Sequence, residues 1–413
     1  TDRHKTPWGE GINYDGKESR PVREFVVQNA LYWAHEYHVD GLRLDATHAI
    51  LDDSPKHLLQ EIADAMHGLE RKCVVIAEDE RNERRVLLPP TDGGYGLDAV
   101  WADDFHHQVR RLAAGDKEGY FASYTGSIAD LVTTIDKGWF YEGQVAKHSG
   151  EHRGSPATGL PPRAFVHHIQ NHDQVGNRPM GDRLGHVVPM PVYRAVTALL
   201  LASPYTPMLW MGQEWNASSP FQYFTDHPEE LGKLVTEGRR EEFKGFKAFS
   251  DPETREKIPD PQAERTFRDS KLKWEEAERE PHRGILELHR ALLALRKDEP
   301  AMRTQERGTW QVEAAGERAL VLRREAARGE ATRGEAANGA GDPLLVVVSV
   351  GDTLTLDLGA GRSTRAPEGR RWTVALSTED RRFGGEDTTR LTSDGAGRVE
   401  MTAPGAVVLR AAR

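Results

Sequence analysis

One after another, the apolar runs in the first half of this 413-residue chain end on carboxylates, and that habit restricts the fold more than any other feature. In residues 40–48, "DGLRLDATH", Leu42, Leu44 and Ala46 alternate with Arg43 and Asp45. A period of two puts the apolar side chains on one face of a strand and the ion pair on the other. The continuous apolar run 73–77 reads as a strand buried on both faces, and it ends at Glu78, Asp79 and Glu80. Residues 97–101 run into Asp103, Asp104, His106 and His107. Residues 164–170 lead to Asn171, His172, Asp173 and Gln174, and 207–212 to Gln213, Glu214, Trp215 and Asn216. Amphipathic helices lie between. Val22, Phe25, Val26, Ala30, Trp33 and Tyr37 recur at spacings of three and four. Asp53-Ser54-Pro55 opens a second helix whose apolar face is Leu58, Leu59, Ile62, Met66 and Leu69. Further helices are expected around 128–137, 191–202 and 285–295. Strands alternating with helices predict a parallel sheet, and in a βα barrel the carboxyl ends of the strands build the active site.

A charge on a buried strand is costly unless it is paired or used. A structural ion pair would account for Arg43 and Asp45 alone. It does not account for acids on successive strand ends, because gathered carboxylates repel one another. Converging carboxylates with an arginine and histidines suit glycoside hydrolysis, in which one carboxylate attacks the sugar carbon and another protonates the leaving oxygen. Arg43 then keeps Asp45 ionised and oriented. A divalent-metal centre is the rival. His167 and His168 point to opposite faces, His168 and His172 straddle a strand end, and no helical His pair has zinc spacing, so no metal and no cofactor are assigned.

After Pro300 short alternating runs at 319–322, 344–350, 353–358, 372–376 and 406–409 predict a small antiparallel β-sandwich domain. The polar near-repeat 328–343 reads as a hairpin insertion without chemistry. A formal charge of -10 with both signs interspersed argues against nucleic-acid binding. No apolar run is long enough for a membrane span. The single cysteine, Cys73, excludes an intrachain disulfide and a zinc-cysteine site, and a cytoplasmic location is expected.

"DGLRLDATH", "VVIAEDE" (74–80) and "HHIQNHDQVGN" (167–177), in this order, resemble three signature regions of the α-amylase superfamily of glycoside hydrolases. The resemblance implies Asp45 as nucleophile with Arg43 its partner, Glu78 as general acid/base, and Asp173 as the carboxylate that grips sugar hydroxyls, with His172 beside it. His48 falls where such enzymes often carry a sugar-contacting residue. It also implies double displacement with retention, for which the Asp45 and Glu78 carboxyls lie about 5–5.5 Å apart. Within the superfamily, "TPWGEGINYDG" (6–16), "YGLDAVWADDFHH" (95–107), "MGQEWNASSPFQYFTDH" (211–227), "GRREEF" (238–243) and "IPDPQAERTFRDSKLKW" (258–274) are similar to maltooligosyltrehalose trehalohydrolases. Those enzymes cut the α-1,4 bond next to the terminal trehalose. The resemblance thus implies maltooligosyltrehalose, trehalose and maltooligosaccharides as partners, with no nucleic acid and no membrane. The glycogen branching enzyme, a transglycosylase, shares some of these patterns and is the alternative.

The superfamily's Asp-x-x-x-Asn-His signature is absent, and five strands cannot close an eight-stranded barrel. The expectation is therefore the C-terminal five βα units of a (β/α)8 TIM barrel in residues 1–300, then a β domain in 301–413. An N-terminal β domain and the first barrel strands would come from an N-terminal portion of the same polypeptide. Asp103, Asp104, His106 and His107 are candidate sugar-binding residues or caps of the following helix. Trp8, Trp101, Trp215, Phe221, Tyr223 and Phe224 offer flat faces to pyranose rings. Trp101 reads as core, whereas Trp215 and Phe224 are expected to bind. Asp226 and His227 either contact the trehalose end or fix their loop.

Overall fold

The computed structural model describes residues 1–6, 9–245, 250–327, 341–392 and 397–412. Trp8 and most of the insertion at 328–343 lie outside the described residues. Contacts divide the chain into two compact units, one of Thr1–Phe105 with Thr133–His167, the other of His106–Val132 with His168–Arg413.

The first unit is built on parallel strands β1 (Gly41–Leu44), β2 (Val74–Glu78), β3 (Ala99–Trp101) and β4 (Phe165–His167), hydrogen-bonded in that order. Arg43 is level with Ile76, Ile76 with Ala99, and Glu78 with Trp101. Gly41 opens β1 because a Cβ there would lie 2.4 Å from the Val74 carbonyl oxygen. Helix α1 (Arg20–Glu36) packs on α2 (Leu58–His67), which buries Leu58, Leu59, Ile62, Ala63 and Met66.

Two sequence expectations shift here. The buried stripe of α1 is Arg23 with Ala30 and Ala34, two small residues that allow close approach, while Phe25, Trp33 and Tyr37 stand exposed. Trp33 and Tyr37 instead pack on each other, ring centroids 4.7 Å apart. Helix α2 starts at Leu58, not after Asp53. The Asp52 carboxylate accepts from the Ser54 and Leu58 amides and from Arg23 Nη1 (2.7 Å), which holds 53–57 out of the helix, and His57 caps it instead.

Helices α3 (Asp104–Ala113) and α4 (Ile128–Lys137) pass from one unit to the other. The second unit holds the short α5 (His172–Gly176), then α6 (Met190–Ala202), α7 (Glu229–Glu242) and α8 (His282–Asp298). The strand expected at 207–212 shortens to Thr206–Pro207. Side chains take over the backbone there. Trp210 N–H donates to Gln213 Oε1, the Met211 carbonyl accepts from Arg183, and Gly212 turns the chain in the left-handed region at φ 79°.

Beyond α8, strands β5 (Trp310–Ala314), β6 (Ala319–Arg324), β7 (Leu344–Ser349), β9 (Arg371–Ser377) and β12 (Gly405–Ala412) form one antiparallel sheet, ordered β5-β6-β7-β12-β9. Strands β8 (Leu354–Asp357), β10 (Thr389–Thr392) and β11 (Arg398–Met401) form a second, ordered β8-β11-β10. Val321, Leu345, Val347, Trp372, Val399, Met401, Val407 and Leu409 fill the space between them. The other face of β7 and β12 packs on α6, which explains why all six residues of β7 are buried.

Candidate active site

In the first unit, the carboxyl ends of β1 and β2 bring Asp45 and Glu78 to one guanidinium. Arg43 Nη1 bonds Asp45 Oδ1, and Nη2 lies 2.8 Å from Glu78 Oε1. The Arg43 guanidinium lies over the Trp101 ring, its Cζ 4.2 Å from the ring centroid. Ala46 adopts a left-handed backbone at φ 43°, an uncommon state for a residue with a side chain. This turn aims the Ala46 N–H at Glu78 Oε2, 2.8 Å away. Glu78 therefore has both oxygens engaged, while the Asp45 side chain is 78% exposed. Thr47 Oγ1 donates within reach of the Glu78 carbonyl (2.9 Å) and Asp79 Oδ2 (3.0 Å), and Arg81 grips the buried Asp79 through Nε and Nη2. His48 is half-buried in the turn Thr47–Ala49 that follows.

Asp103 and Asp104 follow β3 and diverge in role. Burial pushes the Asp103 carboxyl up to about 7; Arg153 opposes this, while Asp104, Glu78 and Glu80 add to it. Asp104 is wholly buried. It accepts from Asn82 Nδ2 (2.7 Å), the Phe140 and Tyr141 amides and Arg153, so it ties loops together and has no surface to offer a sugar. His167, at the end of β4, bonds the Gly138 carbonyl oxygen at 2.7 Å, and burial lowers its imidazole to about 4.

The second unit carries His172 and Asp173 in the first turn of α5, half-exposed, with His172 Nε2 3.4 Å from Asp173 Oδ2. Asn171 caps that helix, its Oδ1 accepting from Gln174 N–H at 2.7 Å. Asn171 Nδ2 also bonds His168 Nε2, and the His168 ring stacks on His106 with centroids 5.6 Å apart. His106, expected to touch sugar, is buried behind this relay and braces it. Burial, helped by His107, His168, Arg110 and Arg178, holds its imidazole well below the ordinary range. Trp215, expected as a sugar platform, is only 2% exposed; it packs against Trp274 at 5.2 Å while its carbonyl accepts from His282. A side chain on the turn after a shortened strand points into the interior here. Phe224 is 37% exposed and rests edge-on against Phe221 and Phe267. Asp226 and His227 are exposed on a loop that Gln262 cinches, bonding Thr225 Oγ1, His227 N–H and the His227 carbonyl oxygen.

Sequence reasoning read Trp101 as core and passed over Trp210, whose ring is 5.8 Å from His172. The signal for Trp101 was its place, level with Glu78 on the neighbouring strand. Among the described residues, His4, Asp15 and Asp53 gather ligand atoms within 4.8 Å. Arg3 already meets Asp53 at 3.1 Å, and His4 Nε2 lies 2.7 Å from Asp15 Oδ2.

The parallel strands that deliver an arginine and two carboxylates, followed by antiparallel sheets, are similar to a solved structure of α-amylase type. A crystal structure of a candidate alpha amylase from Salmonella typhimurium matches with a TM-score of 0.79 at 30% identity, covering 100% of this chain and 63% of that one. More particularly, the chain is similar to malto-oligosyltrehalose trehalohydrolases. It is 45% identical to that of Deinococcus radiodurans over 337 residues, 78% of this chain and 54% of the relative. It is 41% identical to that of Saccharolobus solfataricus over 299 residues, 72% of this chain and 50% of the relative. The chain thus spans about half the length of the curated relatives it matches. No protein-family model matches it.

Proposed function

We propose that this chain carries the catalytic strand ends of a retaining glycoside hydrolase. It cleaves the α-1,4-glucosidic bond next to the terminal trehalose of maltooligosyltrehalose and releases trehalose, a step of trehalose biosynthesis. The observation that carries the reading is the single Arg43 guanidinium held between Asp45 and Glu78. Asp45 attacks the anomeric carbon as the bond to the leaving oxygen breaks, and Glu78 gives that oxygen its proton, freeing trehalose. Glu78 then takes a proton from water, which attacks the same carbon and releases Asp45. Asp173 and His172 hold sugar hydroxyls. Asp226 and His227, exposed on their cinched loop, meet the trehalose end, with Phe224 as an apolar surface beside them. Carboxylates do every step, so the reaction needs no metal or cofactor.

The parallel strands belong to an eight-stranded barrel whose remaining strands, with an N-terminal β domain, come from the rest of the polypeptide. Support comes from relatives about twice as long. We place the boundary to the C-terminal β domain near residue 300, and the protein in the cytoplasm, in keeping with its one buried free thiol, Cys73.

The full polypeptide, offered maltotriosyltrehalose and maltopentaose side by side, should release free trehalose from the first and leave the second nearly untouched. Branched or shuffled glucans without trehalose would assign it to the branching transglycosylases instead.

A further inference from the structure

We propose that Trp101 is a positioning residue for the reaction, the floor on which Arg43 is fixed between Asp45 and Glu78. The proposal rests on the catalytic reading of that pair. Its geometry is independent of which sugar is cut.

Arg43 starts on β1, yet its guanidinium lies over a ring that starts on β3, so the two side chains meet across β2. Such a long reach has many rotamers, and something must select one. The two anchors at its edge are Asp45, itself mostly exposed, and Glu78. Arg43 Nε and Nη2 are buried and neither donates a well-aligned hydrogen bond among the described residues, Nη2 meeting Glu78 Oε1 as an ion pair. Edge contacts alone let the plane tilt and swing towards solvent. The indole face at 4.2 Å blocks one side and attracts the cation through its quadrupole. The ring is in register with Glu78, so floor and acid lie at one level of the sheet. Arginine suits this arrangement, since a planar guanidinium can stack on a ring while donating from its edge.

If Trp101 acts through Arg43, its loss misplaces both carboxylates in the transition state but leaves remote sugar contacts intact. Three variants of the full polypeptide test this: Trp101→Leu, Trp101→Phe and Trp101→Leu combined with Arg43→Lys, beside Arg43→Lys alone. Trp101→Leu should lower kcat by about 10- to 30-fold with KM within about twofold, and Trp101→Phe, which keeps a ring face, should recover most of it. In the Arg43→Lys background, Trp101→Leu should cost less than about twofold more. Undiminished kcat, a loss confined to KM, or a full additive loss in the double variant would overturn the proposal. Trp101→Phe carries the kinetic test if the leucine variant does not fold. A crystal structure of the foldable variant gives the answer without turnover: Arg43 displaced from one carboxylate supports the proposal, and Arg43 unmoved between both defeats it. Wild-type enzyme that releases no trehalose would defeat the proposed reaction, and the structural comparison would still decide the role of Trp101.

Discussion

Arg43 in the first unit is half-buried and Arg324 in the second fully buried, and they are held in opposite ways. Arg43 meets two carboxylates and a ring, and no backbone carbonyl bond fixes it among the described contacts. Among the described residues Arg324 on β6 meets carbonyls, those of Ala202, Met302 (3.3 Å) and Thr304 (2.6 Å). Burial, with Arg296 adding, brings its guanidinium down to about 9. Arg296 on α8 does likewise, reaching the carbonyls of Leu201, Ser203 and Tyr205. Both arginines finish the C-terminal end of α6, where carbonyls lack helical partners and the helix dipole favours a cation. The lesson is that one residue type serves two tasks. Held by carbonyls it is scaffold, and held by carboxylates it is, in the function proposed above, machinery.

Four measurements would break or sharpen this contrast. Glu78→Gln should cut turnover at least a hundredfold, and by as much as about ten-thousandfold, while leaving the melting temperature almost unchanged. Retention of a tenth of the activity would remove Glu78 from the machinery. Arg324→Met should do the reverse, lowering stability in urea by about 3–5 kcal/mol with kcat per folded molecule intact. A kcat loss instead would erase the distinction.

The third measurement follows acid sensitivity. His167 in one unit and His289 in the other are buried, and burial lowers each imidazole to about 4. The unfolded chain binds these protons near pH 6.5, so between that pH and about 4 the unfolded state holds more protons. Stability is therefore full above pH 6.5 and falls as pH drops towards 4, by up to about 3 kcal/mol for each histidine. Urea midpoints between pH 7 and pH 4.5 should track this, and His289→Leu should flatten the slope. A flat profile in the parent would show that neither ring is neutral and enclosed. The smallest effect belongs to exposed pairs such as Arg265 with Asp269, 3.1 Å apart on one helix face. Arg265→Ala should move stability by less than about 0.5 kcal/mol; a larger change would mean that surface arginines also act as scaffold.

Much of this was legible in the residues themselves. The alternation around Arg43 and the runs at 73–77 and 97–101 gave strands where β1, β2 and β3 lie, because period and continuity are local signals. The meeting of Arg43, Asp45 and Glu78 was legible too, since strand-end acids on neighbouring parallel strands must come close. Asp104, His106 and Trp215 read as sugar-binding candidates in the sequence, and the structure buries all three. A carboxylate or ring after a strand end looks the same in sequence whether it faces a ligand or the interior. Only the partners, Phe140 and Arg153 for Asp104, His168 for His106 and Trp274 for Trp215, separate the two. The start of α2 was misplaced because Asp52 answers to Arg23, 29 residues away in sequence.

The finished end of α6 also bears on how such a protein could be cut or recombined. Arg194, within α6, forms a buried pair with Glu379 between β9 and β10, Nε to Oε1 at 3.0 Å. A chain severed near residue 300 would strand Arg194 without its carboxylate and leave the Ala202 carbonyl without Arg324. The C-terminal sheets are therefore not a cassette to be exchanged among similar chains at will. A chimaera inherits the obligation to supply a cation for one helix end and an anion for one helix flank, or it begins life with both bare.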